Sequence, residues 1–335
     1  MVQNQVKLIP YTIQSVLENT NETPVGVQLV QAQALWKESN QGEGVVVAVI
    51  DTGVDTNHQD LKERIIGGRN FTSDYQGNPD IFEDNNGHGT HVSGTIAASL
   101  NQQGVAGVAP KAQILGLKAL TGEGAGDYEW LIEAVNYAVD WRGPKQEQVR
   151  VISMSLGGPT DVPELHYAIQ KAIQHEISVV VAAGNEGDGY EETYEYAYPG
   201  AYNEVISVGA VGMDLTLAPF TNTHDEIDLV APGVEVLSTY PDNKYAKLSG
   251  TSMAAPHVAG ALALLVNISE KEFNRPLTET EIFAQLIRRT VPLGFRKSSE
   301  GNGLLMLNLV DELKDRFKLE AGETGLVSME TKYLG

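Results

Sequence analysis

The chain contains no cysteine. That excludes thiol nucleophiles, disulfide staples and cysteine-ligated zinc, and it suits either a cytosolic protein or a bacterial secreted one. Basic residues are scarce as well: 23 Lys and Arg face 44 Asp and Glu, for a net charge of −21. This balance argues against nucleic acid or an anionic membrane as the main partner and favours local cation binding. Nothing approaches the roughly 18 to 20 uncharged apolar residues of a bilayer-spanning helix, so no membrane association is expected. Residues 1–11 lack the apolar core of a signal peptide, which leads us to expect a cytoplasmic protein. What is present supports a large core: 335 residues, 42% hydrophobic, with 34 glycines. That is enough for one large or two ordinary domains.

From Gly44 onward, short runs rich in β-branched residues alternate with segments of helical period, the pattern of an α/β domain with a mainly parallel sheet. Strands are expected over 45–50, 65–70, 113–119, 149–154, 177–183, 205–211 and 227–230. Crossover helices are expected over 127–140, with Leu131, Ala134, Val135 and Ala138 on one face, and over 164–174, with Leu165, Ala168, Ile169, Ala172 and Ile173. The stretch 252–266 is apolar on nearly all sides and reads as a buried helix. Thr278 with Glu281 three residues later forms a capping box for a helix over 282–289, and another helix is expected over 307–317. Residues 319–335 lack a clear period and read as a mobile or partner-bound tail.

Three glycine-punctuated segments place reactive residue types beside these elements. Asp51 follows five apolar residues, at the carboxyl end of a strand where α/β sites form. Taken alone, it could equally begin a turn. His88 lies between glycines that let backbone approach the imidazole closely. His91, three residues on, shares its helical face, but without a metalloprotease glutamate or any cysteine the pair reads as structural rather than zinc-binding. Ser252 begins the buried helix, where a lone serine is ordinarily an N-cap, yet its N–H is also free to bind a developing oxyanion. Asp, then His, then Ser is one of the few chain orders of the nucleophilic triad.

Together the three segments closely resemble the signature motifs of subtilisin-like serine proteases, from about residue 23 to about 291. The resemblance implies a three-layer α/β fold with a mainly parallel central sheet flanked by helices. It also implies an endopeptidase in which Ser252 attacks, His88 shuttles the proton and Asp51 orients the imidazole, with Asn185 as an oxyanion donor and Thr251 nearby. Substrate would be held as an added strand between Gly124, Gly126 and Tyr128 on one side and Ser155, Leu156 and Gly157 on the other. Ala197 and Glu186 would form the S1 pocket, and specificity would be broad. Calcium is the implied cofactor, held by Asp60 and Asn101 with the carbonyls of Ser99, Gln103 and Val105. Asn21 is a further ligand candidate, and Gly200, Tyr202 and Asp228 suggest a second cation site.

The ends resemble an intracellular subtilisin. Residues 1–22 would be an inhibitory arm, 23–318 the protease domain and 319–335 a tail suited to homodimer contact. Within the arm, Leu8, Ile9, Pro10 and Tyr11 are expected to cross the active site, so the partners are peptide or protein substrates and the chain's own arm. Cleavage of the arm is expected between Gln14 and Glu22, where the chain is polar. Two rival classes differ from this pattern. A silent peptide-binding pseudoprotease would normally lack one of Asp51, His88, Asn185 or Ser252. A lipase-like hydrolase would need a second glycine after Ser252 and the opposite residue order.

Overall fold

Every residue of the strand Val46–Asp51 is buried, as in a strand covered on both faces. Its side chains part alternately: Val47 and Val49 join one apolar cluster, Val46, Ala48 and Ile50 another. That alternation fixes a three-layer arrangement in the computed structural model, which describes residues 5–309.

In chain order the N-terminal segment supplies β1 (Gln5–Leu8), β2 (Thr12–Leu17), β3 (Asn21–Glu22), α1 (Val25–Leu29) and α2 (Ala32–Leu35). The body continues with β4 (Val46–Asp51), β5 (Ile65–Asn70), α3 (His88–Ala97), β6 (Gly104–Val105), β7 (Gln113–Lys118), β8 (Ala125–Asp127) and α4 (Tyr128–Asp140). There follow β9 (Val149–Met154), β10 (Leu156–Gly157), α5 (Pro163–Gln174), β11 (Ser178–Ala182), β12 (Ile206–Val211) and β13 (Ile227–Pro232). The last elements are β14 (Val236–Tyr240), β15 (Lys244–Ser249), α6 (Thr251–Phe273), α7 (Glu279–Ile287), β16 (Thr290–Val291), α8 (Lys297–Glu300) and β17 (Leu304–Leu305).

Nine strands form the central sheet in the order β16-β17-β13-β12-β11-β9-β4-β7-β5, parallel throughout except for edge strand β16. Helices α3 and α6 cover one face through Val92, Ile96, Ala254 and Val258, while α4 and α5 cover the other through Leu131, Val135, Leu165 and Ile169. The expected strands and crossover helices agree with these elements to within two residues, and the Thr278–Glu281 capping box is formed. Helix α6 outruns its expected end and is long and apolar enough to cross a membrane, but it is largely buried between the sheet and α3. The bulk of the expected 307–317 helix and the whole 319–335 tail lie outside the described residues.

The N-terminal segment holds more strand than expected. Its β1 lies antiparallel between β8 and β10, as an added strand in the cleft would, but β2 also extends the β14–β15 hairpin and β3 pairs with β6. Residues 14–17 are therefore zipped into a sheet, and only 18–20 stay outside a strand between Gln14 and Glu22.

Buried titratable groups set an acid limit on this fold. Burial pulls His91 down to about 3 and His224 and His257 to about 4, while burial pushes Asp228 and Glu279 up to about 7. As pH falls below 6.5 the unfolded chain gains histidine protons that the folded chain refuses. The two carboxylates oppose this by taking protons earlier in the folded state. The histidines outnumber them, so these groups together should lower stability as pH falls from about 6 to 4.5. Denaturant midpoints across that window check it, and a midpoint rising with acid would contradict it.

Candidate active site

Asp51 ends β4, 1% exposed, and both its oxygens face His88 Nδ1, at 2.9 and 3.0 Å. A carboxylate can only accept, so Nδ1 carries a proton, and Nε2 is the ring nitrogen left to act as a base. His88 opens α3 directly after Gly87, whose φ of 111° is a conformation glycine supplies without strain. Gly89 has no room for a side chain against the Gly53 carbonyl, which lets α3 lie close over the end of β4. The preceding loop is fixed by Asp84: Oδ1 accepts from Thr52 Oγ1 at 2.8 Å and from Gly87 N at 2.9 Å, and Oδ2 accepts from Thr90 N at 2.9 Å. His88 Nε2 is buried and has no hydrogen-bond partner among the described residues.

Ser252 lies in the first turn of α6, wholly buried. Pro256, four residues on, has no N–H to offer the Ser252 carbonyl. Ser155 Oγ fills that vacancy, donating to Ser252 O at 3.0 Å, and Ser252 Oγ in turn faces Ser155 O at 3.3 Å. The serine hydroxyl is thus turned to Ser155 rather than to His88. Asn185, after β11, accepts from Thr251 N at 2.9 Å through Oδ1, which aims Nδ2 into the cleft. There it donates to the Pro10 carbonyl at 2.6 Å.

The cleft walls hold β1 as a third strand. Leu8 pairs with Leu156 and Lys7 with Gly157, while Val6 pairs with Gly126 and Leu8 N donates to Gly124 O at 2.8 Å. Tyr128 is buried beside Val6 in one apolar cluster. Ser155, expected on the pairing strand, spends its polar groups on Ser252 instead, because Pro256 leaves that carbonyl unpaired. Ile9 and Ala197 both approach Gly157 closely enough that a side chain there would meet them at 3.6 and 3.7 Å. Glu186 accepts from Asn185 N and from Asn222 Nδ2, each at 3.0 Å, so its carboxylate is tethered at the rim. Tyr11 sets its ring 4.8 Å from that of His88 and donates to Asn86 Oδ1 at 3.3 Å. Burial pushes its phenol well above the usual range.

The stretch expected to hold a cation folds against Asp60 through hydrogen bonds. Asp60 is wholly buried and accepts from Asn101 Nδ2 at 2.8 Å, Tyr245 OH at 2.9 Å and Val105 N at 3.1 Å. Ser99 N donates to the Asp60 carbonyl at 2.8 Å, and Gln103 N to Asn101 Oδ1 at 3.2 Å. Segment 99–106 and residues 21–23 line a cavity of about 220 Å³. At the suggested second site, Tyr202 OH bonds Asp161 and Asp228 accepts from Ser207 N, so each has a partner of its own. His91 donates from Nε2 towards the carbonyls of Val236 at 2.9 Å and Ala246 at 3.1 Å, a structural role.

Sequence reasoning missed Asp84, Asn86, Asn222 and the Ser155–Ser252 exchange. Only the exchange had a readable signal, the proline four residues after Ser252.

Comparison with known proteins agrees with this geometry. The sequence pattern of the Subtilase family matches residues 42–309. The chain is 53% identical to an intracellular serine protease of Paenibacillus polymyxa over 99% of its own length and 100% of that protein. It is 52% identical to the major intracellular serine protease of Bacillus subtilis (strain 168), over 94% and 97% of the two lengths. With subtilisin DY of Bacillus licheniformis the identity is 43%, over 73% of this chain and 84% of the other. The chain belongs to the subtilase family, and its activity is that of a subtilisin-like serine endopeptidase.

Proposed function

We propose that the chain is a cytoplasmic endopeptidase of broad specificity that works through Asp51, His88 and Ser252 and is held inactive by its own N-terminal arm. One observation carries this reading: Asn185 already holds the carbonyl of Pro10, and the next residue, Tyr11, sets its ring against the Asp51-oriented His88. When Ser252 turns from Ser155 to His88, Nε2 takes its proton as Oγ attacks the substrate carbonyl. Asn185 Nδ2 and the Ser252 N–H meet the oxyanion, and His88 returns the proton to the leaving amine. The acyl-enzyme is then hydrolysed by the same exchange with water. A serine-directed fluorophosphonate should label one residue, Ser252, as read by peptide mapping. Label at another serine would refute the assignment.

The arm fits the cleft as a substrate would, one residue out of step. Val6 and Leu8 share the inward face of β1 by strand alternation, Lys7 is exposed on the other, and Ile9, just past the strand, is buried in the other apolar cluster. Ile9 lies by Gly157 of the pairing strand, as does Ala197 of the proposed S1 pocket, yet the carbonyl at Asn185 belongs to Pro10. A productive substrate would present the carbonyl of the residue in S1. Proline, with fixed φ and no N–H, suits this displaced path.

Calcium would be held by Asp60 and Asn101 with the carbonyls of Ser99, Gln103 and Val105. The donor set fits a hard cation: among the described residues the buried Asp60 carboxylate meets neutral hydrogen-bond donors and no ion pair. Bound there, the ion would neutralise Asp60 and tie the loop to the body. Chelation should lower the melting temperature, by about 2.7 kcal/mol of stability lost relative to calcium at one hundred times its dissociation constant. Asp60→Ala should abolish that response, and an unchanged melting curve under strong chelator would count against the site. The homodimer suggested by the tail remains part of this proposal, and sedimentation of the full chain tests it.

A further inference from the structure

We propose that Lys118 is a positioning residue that keeps the His88 loop in register with the strand on which substrate lies; this rests on the assignment of Asp51, His88 and Ser252 above. Lys118 ends β7 directly beside Asp51 on β4, and it is 0% exposed. A lysine is seldom fully buried, and where it is, its charge must be matched. Its ammonium donates to Thr52 O at 2.7 Å, Asn85 Oδ1 at 2.8 Å and Leu120 O at 3.0 Å, and it pairs with Asp74 Oδ2 at 3.0 Å. Four acceptors share three hydrogens, each from a different stretch of chain.

Those stretches converge on the cleft. Thr52 follows Asp51, Asn85 lies three residues before His88, and Leu120 leads to β8, which pairs with β1 in the cleft. Asp74 completes the link, since its Oδ2 also accepts from Asn85 Nδ2 at 3.0 Å and Gly122 N at 2.9 Å. Gly122 O accepts from Asn86 Nδ2 at 2.8 Å, and Asn86 Oδ1 accepts from His88 N at 3.3 Å. One ammonium and one carboxylate therefore set the distance between the base and the substrate strand. Small displacements there are costly, because nucleophile, base and carbonyl must meet in one geometry.

The test uses full-length chains, with rates divided by the concentration of sites that take up a fluorophosphonate label to completion. Lys118→Met should lower kcat/KM on a tetrapeptide amide, which engages β8, by about tenfold or more, and on a single-residue ester, which does not, by less than about threefold. Part of any loss could reflect only the unmatched Asp74 charge. The double variant Lys118→Met with Asp74→Asn removes that charge and should restore the melting temperature while leaving the tetrapeptide rate low. It also serves if the single variant fails to fold. Equal losses on both substrates, recovery of the rate together with the melting temperature, or a wild-type rate in Lys118→Met would each overturn the proposal. Ser252→Ala runs alongside: if it still hydrolyses peptide, the site assignment fails instead, whatever the Lys118 variants do.

Discussion

Ser252→Ala is expected to lower peptide turnover by about a millionfold while leaving the melting temperature near that of the parent. The scale is that of subtilisin itself, where removing the nucleophile costs this much and leaves only the catalysis due to binding and the oxyanion site. The fold should tolerate the change because the lost hydroxyl makes one contact, at 3.3 Å to Ser155 O, and the carbonyl of residue 252 keeps its bond from Ser155. Asn185→Ala should lose about 3 kcal/mol of transition-state stabilisation, again subtilisin's own scale, with a smaller change in substrate affinity. Its Oδ1 also accepts from Thr251 N, so a melting curve should accompany the kinetics. Substantial turnover in Ser252→Ala would dismiss the proposed chemistry.

The second large effect concerns the arm. A chain lacking residues 1–20 should hydrolyse a short chromogenic peptide about a hundredfold faster than the full chain, measured before any self-processing. A tethered strand competes at an effective concentration in the millimolar range, well above ordinary assay concentrations of substrate. It makes ladder pairings on both sides and buries Val6 and Ile9. Pro10→Ala should relax the displaced path and permit cleavage of the arm in the cleft, seen as new fragments by mass spectrometry. Equal initial rates for the full and shortened chains would refute inhibition by the arm.

The parallel strands were readable because most are short β-branched runs bounded by glycine or polar residues, and the triad because its glycine-rich motifs fix local geometry. The β14–β15 hairpin was missed, although Asp242 and Asn243 both turn through positive φ at its tip. Strand β2 was missed for another reason. Its period-two pattern is weak, since Thr12, Ile13 and Gln14 are all exposed, and its partner lies more than two hundred residues away. Lys118 gave no sign at all, because a lysine closing a strand ordinarily reaches solvent and only tertiary contacts reveal that this one does not.

Pairing between β2 and β15 separates scission of the arm from its departure. A cut at residues 18–20 leaves β1 and β2 whole, with their ladders to β8, β10 and β15 intact. The severed piece becomes an ordinary ligand whose occupancy falls only as the solution is diluted or the piece is itself digested. Onset of activity would then follow the off-rate of a peptide, and one molecule's discarded segment could silence another.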